Sequence, residues 1–249
     1  MDIDLHTHTT ASDGKLAPAE LLQRAVSKGL RMLSITDHDT LAAYEEKHRA
    51  ALTLIPGVEF STAWHHVSVH IVGLNVALAS SALREGVLRQ QQARRQRAAF
   101  IDARLQRLGI AGALEGARSI AGSDDNIGRP HFAEYLVRAG AARSIQHAFS
   151  RFLKTRDCDS LRFWAPLAEV VGWIRAAGGI AVLAHPLKYR LSRGQLAALV
   201  EEFMEAGGRG LEVISGRQPP GTTRELARLC NARRLYASCG SDFHLPDQP

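Results

Sequence analysis

The chain carries only three cysteines in 249 residues, Cys158, Cys230 and Cys239. An odd number with no CxxC spacing excludes a disulfide framework and a structural zinc knuckle, so any metal ligands are histidine and carboxylate. Long apolar runs are also missing, although 45% of the residues are hydrophobic, and this describes a soluble globular protein. Neither a charged n-region nor an apolar h-region precedes the first strand-like run, which predicts a cytoplasmic protein without a signal peptide. No internal repeat or low-complexity tract is visible. The length fits one large α/β domain or one domain carrying an insertion.

Histidine is what the chain does have, and it is patterned. His6-Thr7-His8 closes the strand-like run Asp2-Ile3-Asp4-Leu5. Two imidazoles at i and i+2 on a strand point to one side and can converge on a single cation. Further along come Asp13, Thr36-Asp37-His38-Asp39 after the apolar run Met32 to Ile35, Gly57-Val58-Glu59, His70, Ala184-His185-Pro186 and Gly240-Ser241-Asp242-Phe243-His244. Six of the eleven histidines (His6, His8, His38, His70, His185, His244) fall at strand-end positions, where a parallel barrel delivers its functional groups. Taken together, the residues point to a multi-metal hydrolase.

Read coarsely, strand 2–6, a helix from Pro18 to Gly29, strand 32–36, a helix from Leu41 to Ala50 and strand 52–60 alternate. A hairpin over Ala63 to Leu74 follows, with His70 opposite a valine face. Residues 79–155 show only helical periodicity and turn signals, predicting an all-helical insertion. Alternation resumes with helix 166–177, strand Ile180 to Ala184, helix Gln195 to Met204, strand Gly210 to Ile214, helix Thr223 to Arg233 and strand Leu235 to Ser238. The barrel is thereby assigned to 1–78 and 156–249.

A net charge of +6 favours an anionic partner. Arginines crowd positions 84, 89, 94, 95, 97, 104 and 107, while Ala98, Ile101, Leu105 and Leu108 keep helical spacing for a buried stripe. The arginines read either as a solvated helix face or as a basic face that attracts nucleic acid or a phosphorylated substrate.

HxH, TDH, GVE, AHP and GSDFH, in this order, resemble the PHP family, named for bacterial DNA polymerases and histidinol phosphatase. Gly128-Arg129-Pro130-His131-Phe132-Ala133 and Ser68-Val69-His70-Ile71-Val72-Gly73 resemble more narrowly its 3',5'-nucleotide bisphosphate phosphatase branch, whose members also act as 5'-to-3' exoribonucleases on short RNA. The resemblance implies an α/β fold, a distorted (β/α)7 barrel with two or three divalent metals, most often manganese, with zinc, iron or magnesium as alternatives. It implies that His6, His8, Glu59 and Asp242 hold the first metal, that Glu59 bridges to a second held by His70 and His185, and that Asp13, His38 and His244 hold the third. Asp13 departs from the His of some relatives. The charged stretch Thr155 to Arg162 departs from the glycine- and proline-containing segment expected there. The chain also stops at Pro249, where relatives continue, and reads as truncated.

The implied activity is hydrolysis of the 3'-phosphate of a pAp-like bisphosphate by a metal-bridging hydroxide, with exoribonuclease activity on short RNA as an extension. Phosphorylated nucleotide or short RNA is the expected partner, with no membrane and no obligate protein partner. Glu59 is taken as catalytic, with Asp37 or His131 as candidate general acids. Asp37 and Asp39 read as carboxylates orienting His38, or, for Asp39 especially, as a helix N-cap. Arg129 and His131, beside Pro130 at the start of a helix, read as phosphate contacts or as ordinary helix-start residues. His65, His66, His48 and His147 read as surface residues. Histidinol phosphate phosphatase, a processive nuclease and a non-catalytic metal-binding module remain as alternative functions.

Overall fold

A computed structural model describes residues 2–46, 50–153 and 161–246. Seven strands follow one another around a nearly closed barrel in chain order: β1 (Ile3–Thr7), β2 (Met32–Ile35), β3 (Thr53–Trp64), β4 (Val67–Leu74), β5 (Ile180–Leu183), β6 (Gly210–Ser215) and β7 (Tyr236–Gly240). Neighbours pair in parallel except β4, which is antiparallel to both β3 and β5. Where β1 meets β7, Thr7 bridges to Phe243, His8 N–H donates to the Phe243 carbonyl at 2.9 Å and Asp242 N–H donates to the His6 carbonyl at 2.9 Å.

The helices α1 (Pro18–Ser27), α6 (Leu167–Ala176), α7 (Arg193–Glu205) and α8 (Pro220–Ala232) belong to the strand–helix alternation; α2 (Ser81–Arg107), α3 (Ala113–Ala121), α4 (Arg129–Arg138) and α5 (Ile145–Ala148) stand between β4 and β5. Proline opens α1, and Glu20 reaches back to accept from Ala17 N–H at 2.8 Å, so the helix starts where its first donors find partners. Ser192 and Gln195 cap α7 reciprocally. None of the described helices is long and apolar enough to cross a membrane.

Two expectations need correction. The helix foreseen from Leu41 to Ala50 is a short 3₁₀ turn over Ala42–Tyr44, with His48 outside the described residues. Tyr44 accounts for it: its hydroxyl donates to the Ile35 carbonyl at 2.6 Å and accepts from Gly57 N–H at 2.9 Å, pinning the turn against β2 and β3. Nor do all the polar groups come from strand ends. Glu59 and His70 lie inside β3 and β4, because β3 runs on past the barrel rim to Trp64 and β4 returns antiparallel across it. The stretch from Thr155 to Ser160 lies outside the described residues.

Helix α2 explains how the helical block meets the barrel. Its buried face runs Leu83, Val87, Gln90, Arg94, Arg97, Ile101, Leu105, steps of three and four that make one continuous stripe. Leu83 and Val87 join the barrel core, and Ile101 and Leu105 join a second core with Phe132, Leu136 and Leu153. The three polar positions fall between those cores, at the barrel rim. Arg94 and Arg97 are therefore neither a solvated face nor a surface patch; each is less than a tenth exposed.

Candidate metal centre

The structure brings His6, His8, Asp13, His38, Glu59, His70, His185, Asp242 and His244 to one end of the barrel. Their donor atoms form four overlapping groups: His8, Asp13, His38 and His244; His6, Glu59 and His185; His6, His8 and Asp242; and His38, Glu59 and His70. Within each group the atoms lie within 4.8 Å of one another. Glu59, fully buried, is the centre of the arrangement. Its Oε1 stands 3.3 Å from His6 Nε2, 3.0 Å from His70 Nδ1 and 3.0 Å from His185 Nε2. Its Oε2 stands 3.3 Å from His8 Nε2 and 2.9 Å from His38 Nδ1. Asp13 meets His244 Nε2 at 3.3 Å, and Asp242 meets His8 Nε2 at 3.3 Å.

The donors fit a divalent cation. His6 Nε2, His8 Nε2, His38 Nδ1 and Glu59 Oε2 are buried without a hydrogen bond, even where they lie close enough for one. Each such atom costs roughly 1–3 kcal/mol when left unpaired, so their concentration in one place makes sense only around something that pairs them together. Imidazole with three carboxylates suits zinc, iron or manganese and leans toward the harder end of that series.

Electrostatics work in the same direction. Burial raises the Glu59 carboxyl, but His38, His6 and His70 outweigh it and hold the group well below its ordinary value. Asp13 and Asp242 are likewise held well below theirs, in each case by imidazoles that overcome burial. Among the imidazoles, burial with His244 and His38 pushes His8 down to about 3, and burial pushes His70 down to about 4 despite Glu59. His244 goes the other way: burial would lower it, but Asp13 lifts it to about 9.

Backbone strain is concentrated here. Asp39, His185 and Asp242 have φ of 54°, 26° and 53°, a region costly for side-chain-bearing residues. Each amide is pinned: Asp39 N–H to the Glu59 carbonyl at 2.9 Å, Asp242 N–H to the His6 carbonyl at 2.9 Å, and His185 N–H to Glu212 Oε2 at 2.5 Å.

Other expected residues sit elsewhere in the scheme. Asp37, foreseen as a partner of His38 or a proton donor, accepts from Thr9 N–H at 2.7 Å, Thr9 Oγ1 at 2.6 Å and Ser12 Oγ at 2.6 Å, and so shapes the β1–α1 loop that carries Asp13. Asp39 caps no helix; it accepts from Ser61, Gln90 and Arg94. His131 is buried, and its Nδ1 accepts from Gly128 N–H at 3.0 Å, closing the start of α4. Arg129 lines a cleft of about 120 Å³ together with Arg94, Arg97, Ser68, Phe149 and Trp164, and Asp13, His38 and His70 line the same cleft. Arg94 and Arg97 lie over the Trp164 ring at 5.6 and 5.2 Å. His65 and His66 form the exposed β3–β4 turn, and His147 accepts from Arg143 N–H.

Sequence reasoning missed Trp164 and Glu212 and did not single out Arg97 within the arginine-rich run. A signal existed for Arg97, which lies on the same helical stripe as Ile101 and Leu105. None existed for Glu212 inside the apolar strand Gly-Leu-Glu-Val-Ile-Ser.

Residues 4–110 match the family model described as "PHP domain". The chain is 43% identical to "5'-3' exoribonuclease Rnm" of Escherichia coli (strain K12), covering 98% of this chain and 85% of the relative. It is 38% identical to "3',5'-nucleoside bisphosphate phosphatase" of Chromobacterium violaceum, covering 99% and 88%. A solved amidohydrolase structure from Chromobacterium violaceum, holding sulfate and no metal, superposes with a TM-score of 0.92 at 38% identity, covering 99% of this chain and 89% of that one.

Proposed function

The chain belongs to the PHP family, and on that premise we propose that it is a metal-dependent phosphoesterase that removes the 3'-phosphate of 3',5'-nucleotide bisphosphates. The observation that carries this reading is one small cleft lined both by Arg97 and Arg129 and by His38 and His70 of the histidine cluster. Its volume of about 120 Å³ is below the roughly 300–1,000 Å³ of sites that enclose whole small molecules. A single phosphate suits it, lying beside a second phosphate at the histidine cluster. Relatives named for bisphosphate hydrolysis and for RNA cleavage support the same substrate class.

His6, His8, Glu59 and Asp242 would hold one cation, Glu59 would bridge to another with His70 and His185, and Asp13, His38 and His244 would hold a third. Bound there, divalent cations would supply an activated water and neutralise charge on the phosphoryl oxygens. The protein's own part is orientation. Arg97 and Arg129 hold the spectator phosphate by charge-assisted hydrogen bonds, and the Trp164 ring keeps the Arg97 guanidinium in place. His131, with Nδ1 accepting from Gly128 N–H and its pKa lowered by burial, is held neutral with its proton on Nε2, which suits it to donate a hydrogen bond to the departing ribose oxygen rather than to act as a general acid. In this reading the helical insertion assigned to 79–155 caps the centre, its described residues on α2 and at the start of α4 lining the cleft.

Shortening of 5'-phosphorylated RNA is a second reading, favoured by the exoribonuclease name of the Escherichia coli relative. Purified protein assayed with manganese against pAp, histidinol phosphate and a 5'-phosphorylated oligoribonucleotide tests both. The expected order places pAp first and histidinol phosphate last. Preference for histidinol phosphate would overturn the bisphosphate reading, and preference for the oligoribonucleotide would replace it with the nuclease one.

A further inference from the structure

We propose that Glu212 is a positioning residue of the metal centre, aiming His6 and His185 together at Glu59; this rests on the metal-dependent reading above. Glu212 comes from the middle of β6, next to a register irregularity between Glu212 and Ile214, and its side chain is 2% exposed. Its two oxygens serve two different ligands. Oε1 stands 3.1 Å from His6 Nδ1, and Oε2 accepts from His185 N–H at 2.5 Å.

The consequences differ for the two histidines. A carboxylate oxygen only accepts, so Nδ1 of His6 carries a proton, and Nε2, 3.3 and 3.6 Å from Glu59 and Asp242, is the nitrogen left to a metal. A carboxylate on the far nitrogen of a metal-binding imidazole fixes its tautomer and ring orientation and raises its basicity. For His185 the contact is to the backbone. The residue sits at φ 26°, and the Glu212 bond holds the amide in that conformation, from which Nε2 reaches Glu59 Oε1 at 3.0 Å. The neighbouring strand makes room: a Cβ at Gly240 would fall 2.3 Å from His6 Cβ and 2.9 Å from Glu212 Oε1, so only glycine admits this pairing. Glu212 itself joins no ligand group among the described residues. It therefore acts through the two histidines.

Glu212→Gln keeps the shape but has one accepting oxygen for two donors, and its amide nitrogen opposes one of them. Calorimetric titration of Mn2+ into metal-stripped protein should show the sites that use His6 and His185 weakened about tenfold to a hundredfold, the range seen when such outer carboxylates are removed. The group of Asp13, His38 and His244 should keep its affinity. Glu212→Asp, which keeps the charge but is too short to span both donors, should weaken the same sites and decides the matter if the glutamine variant does not fold. Wild-type protein that takes up no Mn2+ would sink the metal-dependent reading and this proposal together. Wild-type binding with the folded variants within about twofold of it, or a variant that weakens all sites alike, would overturn the role of Glu212 alone.

Discussion

Arg94 donates Nε–H to Asp39 Oδ2 at 2.7 Å, and its Nη2 lies 2.6 Å from the same oxygen. Both residues are buried, one on α2 and the other directly after His38, so this ion pair bolts the helical block to the loop that presents His38, a candidate metal ligand. Removing one member of a buried pair leaves an uncompensated charge. Arg94→Met should cost about 3–5 kcal/mol of unfolding free energy, measured by urea denaturation, and adding Asp39→Asn should recover part of the loss. A cost under about 1 kcal/mol, the ordinary worth of an exposed pair, would contradict the buried geometry.

Asp13 separates the third group from the other two. Asp13→Ala removes the carboxylate that stands 3.3 Å from His244 and 3.9 Å from His38, and leaves Glu59 and Asp242 in place. Elemental analysis should show metal content lowered by about one equivalent, with slower turnover. Unchanged content and unchanged kinetics would make Asp13 a turn residue before Gly14 and nothing more.

Substrate choice rests on the arginine wall. Losing one charge-assisted phosphate contact costs about 1.5–3 kcal/mol, so Arg129→Ala or Arg97→Ala should lower kcat/KM for a 3',5'-bisphosphate roughly tenfold to a hundredfold. A monophosphate presents no spectator phosphate and should lose far less. Equal losses on both substrates would place the arginine at the reacting phosphate or in folding.

The stripped protein and the loaded protein should respond differently to pH. His244 is raised to about 9, and His6 and His38 are raised as well, in each case by carboxylates that overcome burial. A raised imidazole stabilises the fold fully below its unfolded value near 6.5, and the benefit is lost as pH climbs through the folded value. His8 and His70, depressed to about 3 and about 4, act only below that window, as do the lowered carboxyls. With chelator present, the unfolding temperature should therefore fall between about pH 6.5 and pH 9. Metal binding requires deprotonated imidazole, so excess Mn2+ should flatten or reverse the fall. An identical decline with and without Mn2+ would count against these histidines as ligands.

Much of the cluster was legible because its histidines and carboxylates sit in short local motifs. His6 and His8 alternate on one strand, and His38, His185 and Asp242 directly follow strands, so neighbouring sequence announces them. Local pattern did not single out Glu212, Arg94 or Arg97, which reach the cluster from mid-element positions. Glu212 lies inside an apolar strand and is turned inward at a register irregularity. Arg94 and Arg97 lie in an arginine-rich run whose charge hides the helical stripe; the stripe becomes visible only once Gln90, Arg94 and Arg97 are seen to face a polar rim between two apolar cores. The missing helix after β2 has a similar origin, since Tyr44 is held by strand-end groups far from it in sequence.

The central claim is that Glu59 organises a cluster of catalytic cations, and elemental analysis of wild-type protein beside Glu59→Gln, both purified without chelator, tests it most directly. The wild type should carry two or more divalent metals per chain. The variant should stay folded, lose at least one metal and lose phosphoesterase activity, because its amide can no longer pair with five surrounding imidazoles as a carboxylate does. A reproducible wild-type content below one metal per chain, or a Glu59→Gln protein with full metal and full activity, would contradict it.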